Sequence, residues 1–139
     1  MPREALIAQL KRHEGVRLKP YRCPAGRLTL GVGRNLDDCG ITLAEAEALL
    51  ANDLAALERK LQRLPWFRAL DPVRQDVLIN MAFNLGYAGL MAFEATLAGV
   101  RRGDYAAAAR SMLASKWARQ VGARARELAE QMRTGRYAA

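Results

Sequence analysis

The chain has 139 residues, of which 51% are hydrophobic and 26% are charged. This length is expected to give one domain with a buried core, and the composition excludes an intrinsically disordered protein. No apolar run is long enough to cross a bilayer, and Met1–Ala5 leads directly into an amphipathic segment without the apolar core of a signal peptide. We therefore expect a protein made in the cytoplasm without signal peptide or membrane anchor.

The formal net charge of +8 is concentrated near the C-terminus. From Arg101 onward there are nine Lys or Arg and three Asp or Glu, a balance of +6. A basic lobe of this kind fits a polyanionic partner: peptidoglycan, lipopolysaccharide, an acidic membrane or nucleic acid. It also fits helix faces that are merely solvated, so charge alone does not choose a function.

The metal-binding residue types are few. Cys23 and Cys39 are too few for a disulfide framework, and His13 is the only histidine. These residues do not form the paired spacing of a zinc site. The sequence therefore predicts no metal site.

The first predicted element is a helix that ends at Glu14. Leu6, Ile7 and Leu10 recur at helical spacing, and Gly15 follows at the position of a C-terminal glycine. The partial negative charge at a helix C-terminus favours the neutral form of a carboxyl group, and general acid catalysis needs a neutral acid. Glu14 is therefore a candidate general acid, with an exposed residue at a helix end as the alternative.

After Glu14 the hydrophobic period changes to two. Leucine and valine alternate with threonine and glycine over residues 28–33, a run too short and too rich in glycine for a helix. This pattern predicts a strand of a small hairpin, preceded by a turn at residues 24–26. We expect the apolar residues on the buried face and Thr29 on the opposite face.

Residues 34–40 have the composition of a turn and loop. Asp37 and Asp38 in this segment are the only other carboxylates near Glu14 in the sequence. They are expected to cap or solvate the turn, and a catalytic base is the alternative.

A long helix is predicted over about residues 43–64. It begins at a capping box formed by Thr42 and Glu45 and is stopped by Pro65. Its length suits a helix that bridges two lobes, with a cleft beside Glu14.

The second half of the chain reads as further helices. Asp71 and Pro72 open a helix with a buried stripe that ends at Gly86. Phe83 lies near its end, where it could reach a cleft or belong to the core. Glycine punctuation then separates helices at 91–102, 105–113 and 124–133, with Trp117 in the last link. Five or six helices are expected after the sheet.

The spacing of three polar residues is the most specific pattern in the chain. Glu14 is followed after eight residues by Cys23, and Cys23 after five residues by Thr29 and then Leu-Gly-Val-Gly. Three later segments add to it: Asn-Met-Ala-Phe-Asn-Leu-Gly at 80–86, Ser-Lys-Trp at 115–117 and Arg-Thr-Gly-Arg-Tyr at 133–137. In this order they resemble the bacteriophage-type lysozymes, the muramidase endolysins of glycoside hydrolase family 24. Arg34 departs from the histidine of the family's best-known member, which we interpret as a change in ion pairing.

The resemblance implies an α+β, mostly α, lysozyme-like fold with two lobes. Its parts are a hairpin lobe at about 14–41, the bridging helix at about 43–64, and a helical lobe formed by about 66–139 together with the N-terminal helix. The implied activity is hydrolysis of the β-1,4 bond between N-acetylmuramic acid and N-acetylglucosamine in bacterial peptidoglycan. No cofactor is needed, a monomer is expected, and a separate holin would release the enzyme to the cell wall.

The resemblance also assigns roles to residues. Glu14 is the acid, and Cys23 and Thr29 hold or activate water. Arg124 is the arginine expected to pair with Glu14 from the far lobe. Substrate contacts or support of the site are expected from Phe83, Asn84 and Thr96. Cys23 could act as thiol or thiolate, could attack the sugar directly, or could be a small buried cysteine without a chemical role.

Two other functions stay open at this stage. A lytic transglycosylase needs only one carboxyl group, which fits the absence of a second carboxylate in the spaced motif. A basic helical nucleic-acid-binding protein fits the C-terminal charge, but it leaves the spacing of Glu14, Cys23 and Thr29 unexplained. Few aromatic residues accompany the basic ones, so nucleic acid is not the expected partner. An anionic outer-membrane surface is a further possible partner of the basic lobe.

Overall fold

A computed structural model describes residues 3–137. The chain divides into two compact units, Met1–Leu49 and Leu50–Ala139, and each is described by itself. The described part is mostly helical with one small antiparallel sheet, which confirms the predicted fold class. Between residues 3 and 137 we find no helix with the length and apolar character to span a membrane.

The first unit consists of one helix, the sheet, a short helix and the start of a long one. Its elements are α1 Arg3–Glu14, β1 Arg17–Arg22, β2 Leu28–Gly31, β3 Arg34–Asn35, α2 Leu36–Cys39 and the beginning of α3 Leu43–Leu61. Strand β2 is central and antiparallel to both neighbours, with Thr29 opposite Tyr21 on one side and Asn35 on the other. The β1–β2 register is irregular between Arg17 and Tyr21. Pro20 lies in that interval and has no N–H to donate to the ladder.

The second unit contains the helices that follow. These are α4 Pro65–Arg68, α5 Pro72–Leu85, α6 Tyr87–Met91, α7 Glu94–Arg101, α8 Tyr105–Ala114, α9 Lys116–Val121 and α10 Ala123–Thr134. Helix α8 packs on α7 and α10, and α10 also packs on α5 and α9. Among the described residues, every buried hydrophobic side chain lies between Leu61 and Met132, so the apolar core belongs to this unit.

Several helix boundaries follow the sequence signals. Helix α1 ends at Glu14, and Gly15 has a positive φ of 76° while its N–H donates to the Lys11 carbonyl at 2.9 Å. At the start of α3 the Thr42 N–H donates to Glu45 and the Glu45 N–H donates to the Thr42 hydroxyl, which confirms the capping box. Asp71 caps α5 as predicted by accepting from the Arg74 N–H.

The predicted end of the long helix at residue 64 is wrong by three residues. Helix α3 ends at Leu61, where the chain tightens so that the Leu64 N–H donates to the Leu61 carbonyl. Leu64 is extended, with ψ of 113°, because the ring of Pro65 disfavours helical geometry in the preceding residue. Pro65 then opens α4, a helix that the sequence did not reveal.

Two predictions between residues 91 and 121 are also wrong. The single helix expected at 91–102 is interrupted, because Phe93 leaves helical geometry with ψ of 63° and α7 begins only at Glu94. Trp117 lies inside α9 and not in a link, since the Ser115 side chain accepts from the Ala118 N–H and starts a helix there. Because α4, α6 and α9 are short, the described chain contains more helices after the sheet than the expected five or six.

The segment at 34–40 is not a plain loop. It contains β3 and α2, because Asn35 pairs with Thr29 and its side chain then accepts from the Asp38 N–H as a helix cap. Arg34 donates to both carboxylate oxygens of Glu45, at 3.0 and 2.7 Å, and to the Gly40 carbonyl at 3.0 Å. Arg34 thus forms an ion pair with Glu45, while a change in ion pairing relative to the family stays a prediction.

The predicted orientation of Thr29 is wrong. Thr29 is the buried residue of β2, with 4% of its surface exposed, whereas Leu28 and Leu30 are only half-buried. The Cys23 side chain lies against it and α2 packs on β2. No apolar side chain is buried in the described part of this unit, so these neighbours decide which face of the strand is covered.

Candidate active site

Glu14 lies at the point where α1 ends and the chain enters the sheet. Its carboxylate packs against the turn between β2 and β3: a Cβ built on Gly33 would lie 2.7 Å from Oε2 and 3.1 Å from Cδ of Glu14. Gly33 also has a positive φ of 66°. Only glycine suits both the backbone conformation and the space that the carboxylate occupies.

Cys23 lies in the turn between β1 and β2. Its N–H donates to the Arg27 carbonyl at 3.0 Å, and its own carbonyl accepts from the Gly26 N–H at 2.8 Å. Both hydrogen bonds cross the turn and join Cys23 to the residues that lead into β2. The thiol is half-buried and forms no disulfide. The turn therefore fixes the sulfur relative to the strand that carries Thr29.

The surroundings of Cys23 favour its thiolate. The backbone N–H of Arg27 is the main cause that lowers the pKa of the Cys23 thiol below its ordinary value, and partial burial opposes this effect. The backbone of Ala25 and the hydroxyl of Thr29 lower the pKa further. A sulfur in this position can accept hydrogen bonds from water or hold a negative charge more readily than a free cysteine.

Thr29 is positioned to serve Cys23. Its hydroxyl donates to the Arg27 carbonyl at 2.9 Å. The same hydroxyl lies near enough to the Cys23 sulfur to lower the pKa of the thiol. A hydroxyl carries a single proton, so Thr29 can donate to a Cys23 thiolate only by turning that proton away from the Arg27 carbonyl.

The two loop aspartates are occupied by the local fold. Asp37 accepts from the Leu28 N–H at 2.7 Å and lies 3.4 Å from Arg22. Asp38 accepts from the Asn35 side chain at 2.8 Å. Both carboxylates thus hold the sheet and α2 together.

In the second unit, Arg124 and Phe83 line one groove of about 360 Å³. The Arg124 guanidinium donates to Asn80 Oδ1 from Nε at 3.0 Å and from Nη2 at 2.7 Å. Phe83 is 45% exposed, so it belongs to a surface and not to the core. The pair of Arg124 with Glu14 would join residues of different units and stays a prediction.

Asn84 and Thr96 are held by other side chains. The Trp117 indole N–H donates to Asn84 Oδ1 at 2.8 Å, which leaves the Asn84 amino group free to face outward. Trp117 is itself buried and packs edge-on against Phe93. Thr96 is 1% exposed and donates to the Ser111 hydroxyl at 3.0 Å, on the wall of a groove of about 450 Å³.

Sequence reasoning did not single out the residues that hold these side chains. Asn80 orients Arg124, Trp117 orients Asn84, and Ser111 bonds Thr96. Asn80 and Trp117 lie in the segments 80–86 and 115–117, whose family resemblance could have pointed to them. Nothing in the sequence around Ser111 points to it in this way. In the part of the chain that the structure describes, no three His, Cys, Asp or Glu residues come together as a metal site.

Comparison with known proteins gives consistent matches. Residues 11–134 match the family model for phage lysozyme. The chain is 34% identical over 120 residues to an endolysin of Acyrthosiphon pisum secondary endosymbiont phage 1, covering 81% of this chain and 77% of that protein. It is 26% identical over 156 aligned residues to the probable T4-type lysozyme 1 of Dictyostelium discoideum, covering 91% and 92%. It is also 28% identical to the pre-baseplate central spike protein Gp5 of Enterobacteria phage T4, covering 96% of this chain and 28% of that protein.

Proposed function

We propose a specific reaction for this chain, which belongs to the phage lysozyme family and is therefore a lysozyme-type hydrolase. The proposed reaction is cleavage of the β-1,4 bond between N-acetylmuramic acid and N-acetylglucosamine in peptidoglycan. The observation that supports this most is the arrangement in the first unit. A carboxyl group lies against a glycine turn, and the strand before that turn carries a threonine beside a cysteine of lowered pKa.

Glycoside hydrolysis needs a proton for the leaving oxygen and a group that delivers water or attacks the sugar carbon. Glu14 donates the proton to the leaving oxygen. Cys23, as a thiolate, orients the attacking water through a hydrogen bond and takes its proton, and the Thr29 hydroxyl stabilises the thiolate before that transfer. Direct attack by the Cys23 thiolate is the other way in which the same groups could react.

Residues of the second unit bind the glycan in this proposal. Phe83 offers an exposed ring, and Asn84 offers an amino group whose direction is fixed by Trp117. Thr96, being buried, supports its groove wall through Ser111. We further propose that Arg124, which Asn80 orients, pairs with Glu14. The enzyme would reach the cell wall after a separate holin opens the membrane and would lyse the host cell.

The test is the substitution Glu14→Gln, assayed by clearing of outer-membrane-permeabilised cells. The amide keeps the shape of the side chain but has no proton to donate, so we expect at least a hundredfold loss of rate with an unchanged circular dichroism spectrum. Activity within about tenfold of the wild type would remove Glu14 from the acid role.

A lytic transglycosylase remains the second candidate, because a cysteine and not a second carboxylate stands at position 23. The products of wild-type digestion separate the two reactions. Hydrolysis leaves a free reducing N-acetylmuramic acid, whereas transglycosylation leaves a 1,6-anhydro sugar. We expect the reducing sugar.

A further inference from the structure

A basic groove lies in the second unit where α8, α9 and α10 meet. It has a volume of about 380 Å³ and is lined by Leu113, Ala118, Arg119, Gly122, Ala125 and Arg126. Arg119 and Arg126 are exposed, and Leu113 is 48% exposed although it is a large apolar residue. The basic groove thus combines two guanidinium groups with an apolar floor.

Further cations surround the basic groove. Arg110 precedes Leu113 by one turn of α8, and Lys116 precedes Arg119 by one turn of α9, so each lies on the same helix face as its partner. Both are exposed. Between residues 3 and 137, none of the four cations around the groove has a carboxylate within ion-pair distance.

The acidic residues of α10 do not neutralise this surface. Glu130, one turn after Arg126, pairs with Arg133 at 2.5 Å. Glu127 is adjacent to Arg126 in sequence, and adjacent residues on a helix point in different directions. The basic groove therefore keeps a local excess of positive charge.

We propose that the basic groove binds the phosphate headgroups of an anionic membrane surface. Guanidinium groups donate paired hydrogen bonds that match phosphate oxygens, and Arg119 and Arg126 supply two of them. Leu113 lies among these cations, where it can enter the boundary between headgroups and acyl chains. Gly122, with φ of 59° and open space where a Cβ would be, lets the headgroup approach the backbone.

The composition of the basic groove favours lipid over nucleic acid. Single-stranded nucleic acids bind through aromatic side chains on which bases stack, and no aromatic residue lines this groove. An exposed leucine between cations contributes nothing to a duplex backbone, whereas it adds apolar contact area at a membrane interface. This role is separate from the proposed hydrolysis, because none of the groove residues belongs to the candidate active site.

The test measures sedimentation of the 139-residue chain with vesicles of phosphatidylcholine alone or of phosphatidylcholine with phosphatidylglycerol. The double variant Arg119→Gln, Arg126→Gln should bind the anionic vesicles about thirtyfold more weakly than the wild type, from the usual contribution of two cations near such a surface. Leu113→Ser should weaken binding severalfold without any change of charge.

The matched control is Arg59→Gln, Arg63→Gln, which removes the same charge from a groove formed by the end of α3 and the turn after it, where Glu58 also lies. It should change vesicle binding less than about twofold, because that site already holds a carboxylate. All variants should keep the wild-type circular dichroism spectrum and clear permeabilised cells at the wild-type rate.

Three results would overturn the proposal. They are equal losses in the two double variants, no preference of the wild type for anionic vesicles, or binding of a DNA duplex that depends on Arg119 and Arg126 while vesicle binding does not. Wild-type clearing of permeabilised cells in each case would show that the proposed hydrolysis stands independently.

Discussion

Gly33 is the residue at which the lack of a side chain matters most for the candidate site. It combines a positive φ with direct contact to Glu14, whereas Gly31 has a similar φ of 70° but open space where a Cβ would be. The two glycines therefore separate the effect of backbone strain from the effect of contact with the carboxylate.

We predict that Gly33→Ala lowers clearing activity about a hundredfold, because the new methyl group displaces the Glu14 carboxylate from its position. Gly31→Ala is the control. Both variants should lose about 1 to 2 kcal/mol of unfolding free energy from the positive φ, but only Gly33→Ala should lose activity. Equal activity in the two variants would mean that the position of Glu14 does not depend on the turn.

The lowered pKa of Cys23 predicts an unusual pH dependence of alkylation. In Cys39→Ser only Cys23 can react, and iodoacetamide attacks the thiolate. The half-maximal rate should therefore occur at lower pH in the folded variant than in the same variant unfolded in urea, as measured by mass spectrometry. Coincident pH profiles would show that the turn does not stabilise the thiolate.

The chemical role of Cys23 is tested by two substitutions. Cys23→Asp should retain activity and resist iodoacetamide, because a carboxylate can also orient water and cannot be alkylated in this way. Cys23→Ala should lose most of its activity. Full activity in Cys23→Ala would support a cysteine without a chemical role and would direct attention to Asp37 and Asp38.

At the scale of elements, the start of α3 is fixed by charge as well as by its capping box. The paired hydrogen bonds from Arg34 hold the pKa of Glu45 at about 2, well below its ordinary value of 4.5. A carboxyl group whose folded-state pKa is lowered stabilises the fold above its unfolded pKa, and this stabilisation is lost as the pH falls toward the folded value. The relevant window therefore runs from about pH 4.5 down to about pH 2.

We predict that Glu45→Gln removes this pH-dependent stabilisation. Glutamine keeps an oxygen for the Thr42 N–H but carries no charge for Arg34. The difference in unfolding free energy between wild type and variant should be largest at about pH 7 and should vanish toward about pH 2. Glu47→Gln is the control, since Glu47 is exposed on the same helix and makes no ion pair among residues 3–137. A difference that stays constant with pH would exclude the charge of Glu45 as the cause.

The sequence predicted elements best where a local signal determines the backbone. The end of α1 at Gly15, the capping box at Thr42 and the start of α5 at Asp71 each depend on one or two residues. Phe93 gave no such signal, because its departure from helical geometry is not encoded by a glycine or proline. The predicted orientation of Thr29 was wrong because the alternation of apolar and polar residues in β2 does not show which face of the strand the neighbouring elements cover.

The same limit applies to the candidate site. Glu14, Cys23 and Thr29 were predicted from the family resemblance that their spacing carries, and the structure adds that Thr29 lies beside Cys23 and that Gly33 contacts Glu14. Residues such as Asn80 and Ser111 could not be assigned their partners, because each bonds a side chain far away in the sequence. Long-range hydrogen bonds of this kind depend on helix packing, which periodicity alone does not determine.

At the scale of the whole molecule, the two units differ in how they are stabilised. In the described part of the first unit Thr29 is the single buried residue, so that unit is held by turns, caps and ion pairs such as that of Arg34 with Glu45. The second unit holds the apolar core and further long-range contacts. Arg74 donates to the carbonyls of Met132 and Arg133 and stacks on Tyr105, which fixes the end of α10 to the start of α5.

This difference predicts the behaviour of fragments. A chain of residues 42–139 keeps the capping box of α3, the whole apolar core and the Arg74 contacts, so it should fold with a cooperative thermal transition seen by circular dichroism. No apolar side chain is buried among the described residues 3–41, so a fragment of residues 1–41 should show no cooperative transition. Arg74→Met in the longer fragment should lower its thermal midpoint by several degrees, because the last carbonyls of α10 lose their partner. A non-cooperative transition of residues 42–139 would mean that the helical unit needs the first unit in order to fold.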